Sequence, residues 1–126
     1  MAQSVQDMLV DANAYVPKIS PAEAQRLMRE KGALLVDVRE ASELAASGKL
    51  ENALHVSRGM LEFKADSAMP AHDPEFRRDR PIILYCASGG RSCLSGKALH
   101  DLGYPEVYNL GGFKEAAAAG FPTAQA

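Results

Sequence analysis

The stretch PIILYCASGGRSC, residues 81–93, sets a cysteine at the end of an apolar run and follows it with two glycines, an arginine and a serine. A thiol attacks only as the thiolate, and a helix N-terminus, a nearby arginine and inward-pointing backbone N–H groups each favour that anion. Ile82 to Tyr85 suit a short buried strand, and Ser92 onward carries helical spacing, so Cys86 falls at a strand-to-helix turn. Ala87, Ser88, Gly89 and Gly90 are small enough to curl around the sulfur as an anion-binding nest. The two glycines would supply positive φ, and Arg91 follows as a fixed positive charge. The chemistry this pattern offers is nucleophilic attack by Cys86. The same residues also fit an inert buried strand cysteine beside an ordinary glycine turn. The turn alone leaves both readings open.

The elements that must position this turn alternate along the chain. Val5, Met8, Leu9 and Ala12 are spaced as a short amphipathic helix with Ser4 as its cap, a packing element. ISPAEAQRLMREKG reads as a helix with Ser20 at the N-cap, Pro21 at the first position, Glu23 completing a capping box and Gly32 as the stop. ALLVDV is a continuous apolar strand, EASELAASG a short helix ending near Gly48, and Ala53 to Val56 another strand. Lys64 to Arg80 is polar and proline-bearing, the least ordered-looking connection. After it come IILYC, a helix over SCLSGKALHDLG, a strand in EVYNL and a last helix after Gly111. Apolar strands separated by helices predict an α/β fold with a central parallel sheet of about five short strands, helices on both faces and right-handed crossovers.

Ligands of such sheets bind beyond the carboxyl ends of the strands. Asp37, running into Arg39 and Glu40, ends one strand, Arg58 follows a second, and Cys86 ends a third, so all should share one edge. Asp37 and Arg39 read either as supports of the loop or as substrate ligands. Arg58 taken alone reads as a solvated surface arginine, and it joins this supporting set by its position.

The 126 residues fit one domain, residues 1–126, of which 1–16 form a helical extension; such a chain buries roughly two-thirds of its unfolded surface without staples. With 14 Lys and Arg against 16 Asp and Glu, the net charge is -2, and RRDR at Arg77 to Arg80 is the only basic cluster, which argues against nucleic acid as a partner. The first residues lack a signal-peptide pattern and no apolar run approaches the ~20 residues of a membrane span, so the expectation is a cytoplasmic protein without a membrane partner. Two cysteines are too few for a disulfide framework, and His55, His72 and His100 show no ligand spacing, so no metal is expected.

Four segments in order resemble the rhodanese-like sulfurtransferases of the small single-domain type: ISPAEAQRLM, DVREASEL, CASGGRS and VYNLGGFKEAAAAGFP. The resemblance spans nearly the whole chain. It implies that Cys86 accepts a sulfane sulfur as a persulfide, that Ala87 to Arg91 cradle it, and that Asp37 to Glu40 buttress the cleft. Where the family commonly has Gly-His-Ile-x-Gly-Ala, this chain has GKLENA, with Lys49 for the histidine and Asn52 for the glycine. Asn tolerates the left-handed turn conformation. The family's tryptophan near the last helix is absent, so Phe113 and the alanines must fill its space.

The resemblance implies double displacement. Thiolate Cys86 takes the outer sulfur of thiosulfate or a persulfide donor, and a thiol, of a small molecule or a protein, or cyanide in vitro, then removes it. A nest that already holds the sulfur ionised needs no general base, and neither cofactor nor metal is required. The expected assembly is a monomer or weak homodimer. A cysteine phosphatase loop has five residues between Cys and Arg, while here there are four, Ala87 to Gly90; a catalytically idle binding module of this type commonly lacks the cysteine. Cys93 is placed opposite a sheet-facing stripe of Leu94, Ala98, Leu99 and Leu102, so its side chain is expected to lean outward and not to bridge to Cys86.

Overall fold

The structure, a computed structural model describing residues 2–126, opens with helix α1, Val5–Asn13, capped by Ser4, whose hydroxyl accepts from the Asp7 amide. Met1, the first residue of the expected extension, lies outside the described residues. Helix α2, Pro21–Lys31, starts under Ser20 and stops at Gly32, left-handed at φ 62°. Only half of the expected capping box forms there: Ser20 Oγ accepts from the Glu23 amide, while the Glu23 carboxylate turns to Arg26. Strand β1 (Leu34–Asp37), helix α3 (Ala41–Ser47), strands β2 (Lys49–Leu50) and β3 (Leu54–His55), and helix α4 (Leu61–Ala65) follow. Then come β4 (Ile82–Cys86), α5 (Gly90–Asp101), β5 (Val107–Gly112), α6 (Phe113–Ala118) and β6 (Thr123–Ala124).

The order of the main sheet is β3-β1-β4-β5, and all its pairings are parallel. The central strands β1 and β4 are buried throughout because both faces are covered, which is why they read as unbroken apolar runs. Alternate side chains divide between two cores. Leu34, Val36, Ile82, Leu84 and Cys86 join Leu61 of α4 and Leu99 of α5, while Leu35, Ile83 and Tyr85 meet Leu27 of α2 and Phe113 of α6. The sequence pattern predicts about five strands in one sheet. Four are there, the edge being extended by a single parallel bridge between Lys18 and Asn109, and the short β2 pairs antiparallel with β6 as a separate ribbon. The β6 residues sit in an alanine-rich tail with no alternation to mark them, and the ribbon is made by two residues from each strand.

The connection from Lys64 to Arg80 is ordered by a few anchors. Phe76, 2% exposed, meets Tyr104 edge-on at 6.4 Å, and the Tyr104 hydroxyl donates to the Ala65 carbonyl at 2.7 Å. Asn52 adopts φ 68°, the left-handed turn expected of it, and Lys49 Nζ donates to the Ala53 carbonyl at 2.9 Å across that turn.

Helix α5 differs from expectation. Its buried residues are Ser92, Cys93, Ser95, Gly96 and Leu99, while Leu94 and Ala98 are half-buried. Cys93 therefore does not lean outward: it is 2% exposed, with Sγ 3.2 Å from Asn13 Oδ1 under α1. The reason is that α5 is covered twice, by the sheet and by the N-terminal extension, and close approach of the extension selects small side chains that an apolar-stripe reading counts as exposed. Val16 sits so near Gly96 that a Cβ there would lie 2.6 Å from Val16 Cγ1. Gly96→Ala should accordingly lower stability by about 1–3 kcal/mol, the overpacking cost exceeding the helix-propensity gain. Chemical denaturation checks this, and the destabilisation caused by Gly96→Ala should be smaller when it is introduced into a chain that already carries Val16→Ala.

Candidate active site

β1, β3 and β4 are in parallel register, with Asp37 level with both His55 and Tyr85, so the ends of the strands do share one edge. Cys86 closes β4 at that edge, and the chain turns over it into α5. The Gly89 amide donates to Cys86 Sγ at 3.0 Å, and Ser92 Oγ lies 3.5 Å from the same sulfur. Burial pushes the thiol up, but the Ser92 hydroxyl and the backbone amides of Ser92, Ser88 and Gly89 outweigh it, and the net shift is downward. Only one of the two loop glycines needs the left-handed region: Gly89 has φ 103°, whereas Gly90 already belongs to α5 and is not among the positive-φ residues.

The loop is held from behind by a residue the sequence reading did not single out. Asn109 of β5 donates from Nδ2 to the Gly89 carbonyl at 3.0 Å and accepts at Oδ1 from Ser92 Oγ at 2.7 Å and from the Gly111 amide at 2.9 Å. A bulge between Asn109 and Gly111, opposite Leu84 and Tyr85, sets this arrangement at the end of the sheet. Ser92 has one hydroxyl proton and three acceptors within reach: Asn109 Oδ1, the Gly89 carbonyl and Cys86 Sγ. When it turns to the thiolate, Oδ1 keeps Gly111 and the Gly89 carbonyl keeps Asn109 Nδ2. No buried acceptor is orphaned by the turn. The signal for Asn109 was available as a polar residue inside the apolar run VYNLGG, since a buried amide must be fully bonded.

Arg91 is not a free charge. Its Nη1 and Nη2 donate to Glu43 Oε1 and Oε2 at 2.6 and 2.9 Å, a two-pronged pair that lowers the Glu43 carboxyl to about 2 and raises Arg91. Glu43 Oε1 also accepts from the Glu40 amide at 2.9 Å, which ties the start of α3 to the loop. Asp37 and Arg39 pair with each other, 0% and 3% exposed, with Arg39 Nη2 2.8 Å from Asp37 Oδ2. Arg39 further donates to Ser47 Oγ at 2.9 Å and the Gly48 carbonyl at 2.7 Å, and lies 4.5 Å over the Phe113 ring. Both side chains are buried, and the Arg39 guanidinium is taken up by Asp37, Ser47 and the Gly48 carbonyl. Arg58 pairs with Glu62 at 2.8 Å and lines a groove with Met8, Leu94 and Lys97.

The model of the rhodanese-like domain matches residues 20–119, which takes in Cys86 and its loop, Asn109, Glu43, Asp37, Arg39 and Arg58. The chain belongs to the rhodanese-like domain family. It is 34% identical to a sulfurtransferase of Allochromatium vinosum over 71% of this chain and 75% of the relative. It is 29% identical to the thiosulfate sulfurtransferase GlpE of Coxiella burnetii, over 86% of this chain and 94% of that one. Among solved structures, a protein of unknown function from Rhodopseudomonas palustris, described as a possible tyrosine phosphatase, superposes with TM-score 0.88 at 32% identity, covering 98% and 96% of the two chains.

In this rhodanese-like domain Phe113 is buried, and its ring stacks at 6.4 Å on Tyr85. Its α1 lies before the matched residues, and none of its described helices is long and apolar enough to cross a membrane. The downward shift of Cys86 has a direct readout. In a Cys93→Ser background, alkylation of Cys86 against pH should show a midpoint below the ~8.5 of a free thiol. Ser92→Ala, which removes the largest of the lowering contacts, should move that midpoint up.

Proposed function

We propose that this chain is a sulfurtransferase that moves a sulfane sulfur from thiosulfate or a persulfide donor to a thiol acceptor through a Cys86 persulfide. The observation that carries the reading is a sulfur at a strand end which, despite burial, is pulled toward the anion by loop amides and the Ser92 hydroxyl. Family membership and the sulfurtransferase names of two relatives support it.

In the first half-reaction the Cys86 thiolate attacks the outer sulfur of the donor. A Cys–S–S bond forms, the donor's sulfur–sulfur bond breaks, and sulfite leaves with that bond's electron pair when the donor is thiosulfate. The terminal sulfur then carries the negative charge, and the amides that held the thiolate face the persulfide. An acceptor thiolate attacks that outer sulfur and Cys86 departs as the thiolate, restoring the enzyme without a net redox change. Both steps exchange one sulfur anion for another, so no proton transfer is needed at the nucleophile and the absence of a histidine from the loop carries no penalty. Both cysteines are free thiols, the state that a reducing cytoplasm maintains, and that is the location proposed.

The name of the Rhodopseudomonas palustris neighbour raises phosphoryl transfer as a second reading. Three features favour sulfur. The ring between Cys86 and Arg91 has four residues, and Cys86 is 1% exposed, a seat for a single terminal atom. Arg91 is also committed to Glu43 through both terminal nitrogens, which leaves its fork unavailable to clamp phosphoryl oxygens in this arrangement.

The protein should therefore produce thiocyanate from thiosulfate and cyanide, and Cys86→Ser should abolish that activity while leaving the fold intact by circular dichroism. Incubation with thiosulfate should give an intact mass one sulfur atom heavier, lost on reduction. Hydrolysis of aryl phosphates should be negligible beside sulfur transfer; rapid phosphate release that Cys86→Ser abolishes would reverse the assignment.

A further inference from the structure

Every donor considered above is an anion, yet the arginine of the loop has its charge taken up by Glu43. The site must draw the donor in against a net charge of -2 on the chain. A different cation lies beside it. Lys18 is exposed and lines the groove that runs along the loop past Ser88, Gly89 and Gly90 to Asn13 of α1. It enters no ion pair among the described residues. Glu115 also approaches Gly111, its Oε1 3.7 Å from the position of a Gly111 Cβ.

The backbone fixes where Lys18 stands. Lys18 bridges Asn109 in parallel register, with the Ile19 amide donating to the Asn109 carbonyl at 3.0 Å and the Asn109 amide to the Pro17 carbonyl at 2.9 Å. The residue whose side chain holds the sulfur loop thus holds Lys18 by its main chain. Gly111 makes room for the side chain: a Cβ there would come 2.7 Å from Lys18 Cε and 3.1 Å from Nζ. Gly111 in turn lies against Gly89, since a Cβ on Gly89 would be 3.3 Å from Gly111 Cα. Gly89 is the donor to Cys86 Sγ. Ammonium, Gly111, Gly89 and sulfur therefore form one short succession of neighbours.

We propose that Lys18 is a specificity-determining residue of this site, the cation that recruits anionic sulfur donors to the groove beside the loop that holds Cys86. The proposal rests on the reading of Cys86 as the reactive sulfur. It asks nothing of Lys18 in the bond-making steps. A charge at the rim of a site raises the encounter rate of oppositely charged reactants, and the effect fades with salt.

The test separates this from sulfur transfer by using two alkylating agents of similar size, anionic iodoacetate and neutral iodoacetamide, with modification read on the Cys86 peptide by mass spectrometry. Any change in the ionisation of Cys86 alters both rates alike, so their ratio isolates the attraction of charge. Lys18→Gln should lower the iodoacetate rate about threefold to tenfold at low salt while leaving the iodoacetamide rate near wild type. Lys18→Arg should retain the wild-type ratio, and about 1 M salt, where screening acts within ~3 Å, should erase the difference between wild type and Lys18→Gln. With thiosulfate the Gln variant should raise KM and leave kcat unchanged. An unchanged ratio in Lys18→Gln, or equal slowing by both agents, would overturn the proposal even if Cys86 transfers sulfur. A shifted ratio in a protein that transfers no sulfur would uphold the recruitment and reject the donor chemistry.

Discussion

One side-chain amide, that of Asn109, ties the loop and the first turn of α5 to β5, a strand 17 to 20 residues further along the chain. It reaches the Gly89 carbonyl of the loop, the Ser92 hydroxyl in the first turn of α5 and the Gly111 amide of its own strand. Asn109 is 6% exposed, so each unmade bond would carry the cost of a buried polar group, about 1–3 kcal/mol. That cost makes the arrangement close to all-or-none. If Gly89 left its left-handed conformation, its carbonyl would swing away from Nδ2 and its amide from Cys86 Sγ together. The conformation of the nest and the ionisation of the sulfur are thus one constraint seen from two sides.

Charge is arranged around this nest in a way that keeps it from collapsing on itself. Arg39 is buried but has a partner for each prong: Asp37, Ser47 and the Gly48 carbonyl, with its flat face on Phe113. A pair so enclosed is costly to break from one side, on the order of 3–5 kcal/mol, because the remaining charge is left without solvent. It therefore holds the end of β1 against the start of β2 as a rigid wall. Arg91 meets Glu43 at the surface of the same wall, where α3 begins. With both arginines committed, stabilisation of the anionic sulfur falls to dipoles: amides and a hydroxyl that are already oriented, so that no reorganisation accompanies each change of charge.

Close approach of backbone explains why several glycines sit where they do. A Cβ on Gly112 would lie 2.6 Å from the Ala87 carbonyl oxygen, so the loop can rest on β5 only if that residue has no side chain. Gly96 admits Val16 in the same way on the far side of α5. The N-terminal extension, which precedes the family match, thereby becomes part of the wall beside the loop, and Cys93 is sealed beneath it.

Much of this was legible in the sequence. Ser20, Pro21 and Gly32 bounded α2 through local capping chemistry, the apolar runs at Leu34 and Ile82 announced strands buried on both faces, and Asn52 marked a left-handed turn. Such features depend on residues a few positions apart, and their physics is complete within the segment. The position of Cys86 at a strand end, ahead of small residues and a helix start, belongs to the same class. What only the tertiary structure decided are pairings across the chain. Glu43 neutralises Arg91 over a separation of 48 residues, Asn109 bonds Ser92 over 17, and α1 turns Cys93 from an expected surface residue into a buried one. No local pattern encodes these, because a carboxylate or an amide looks the same in sequence whether solvent or a distant partner satisfies it. The choice is made when the sheet order β3-β1-β4-β5 brings the strand ends together and desolvation leaves each polar group in need of the neighbour it then meets.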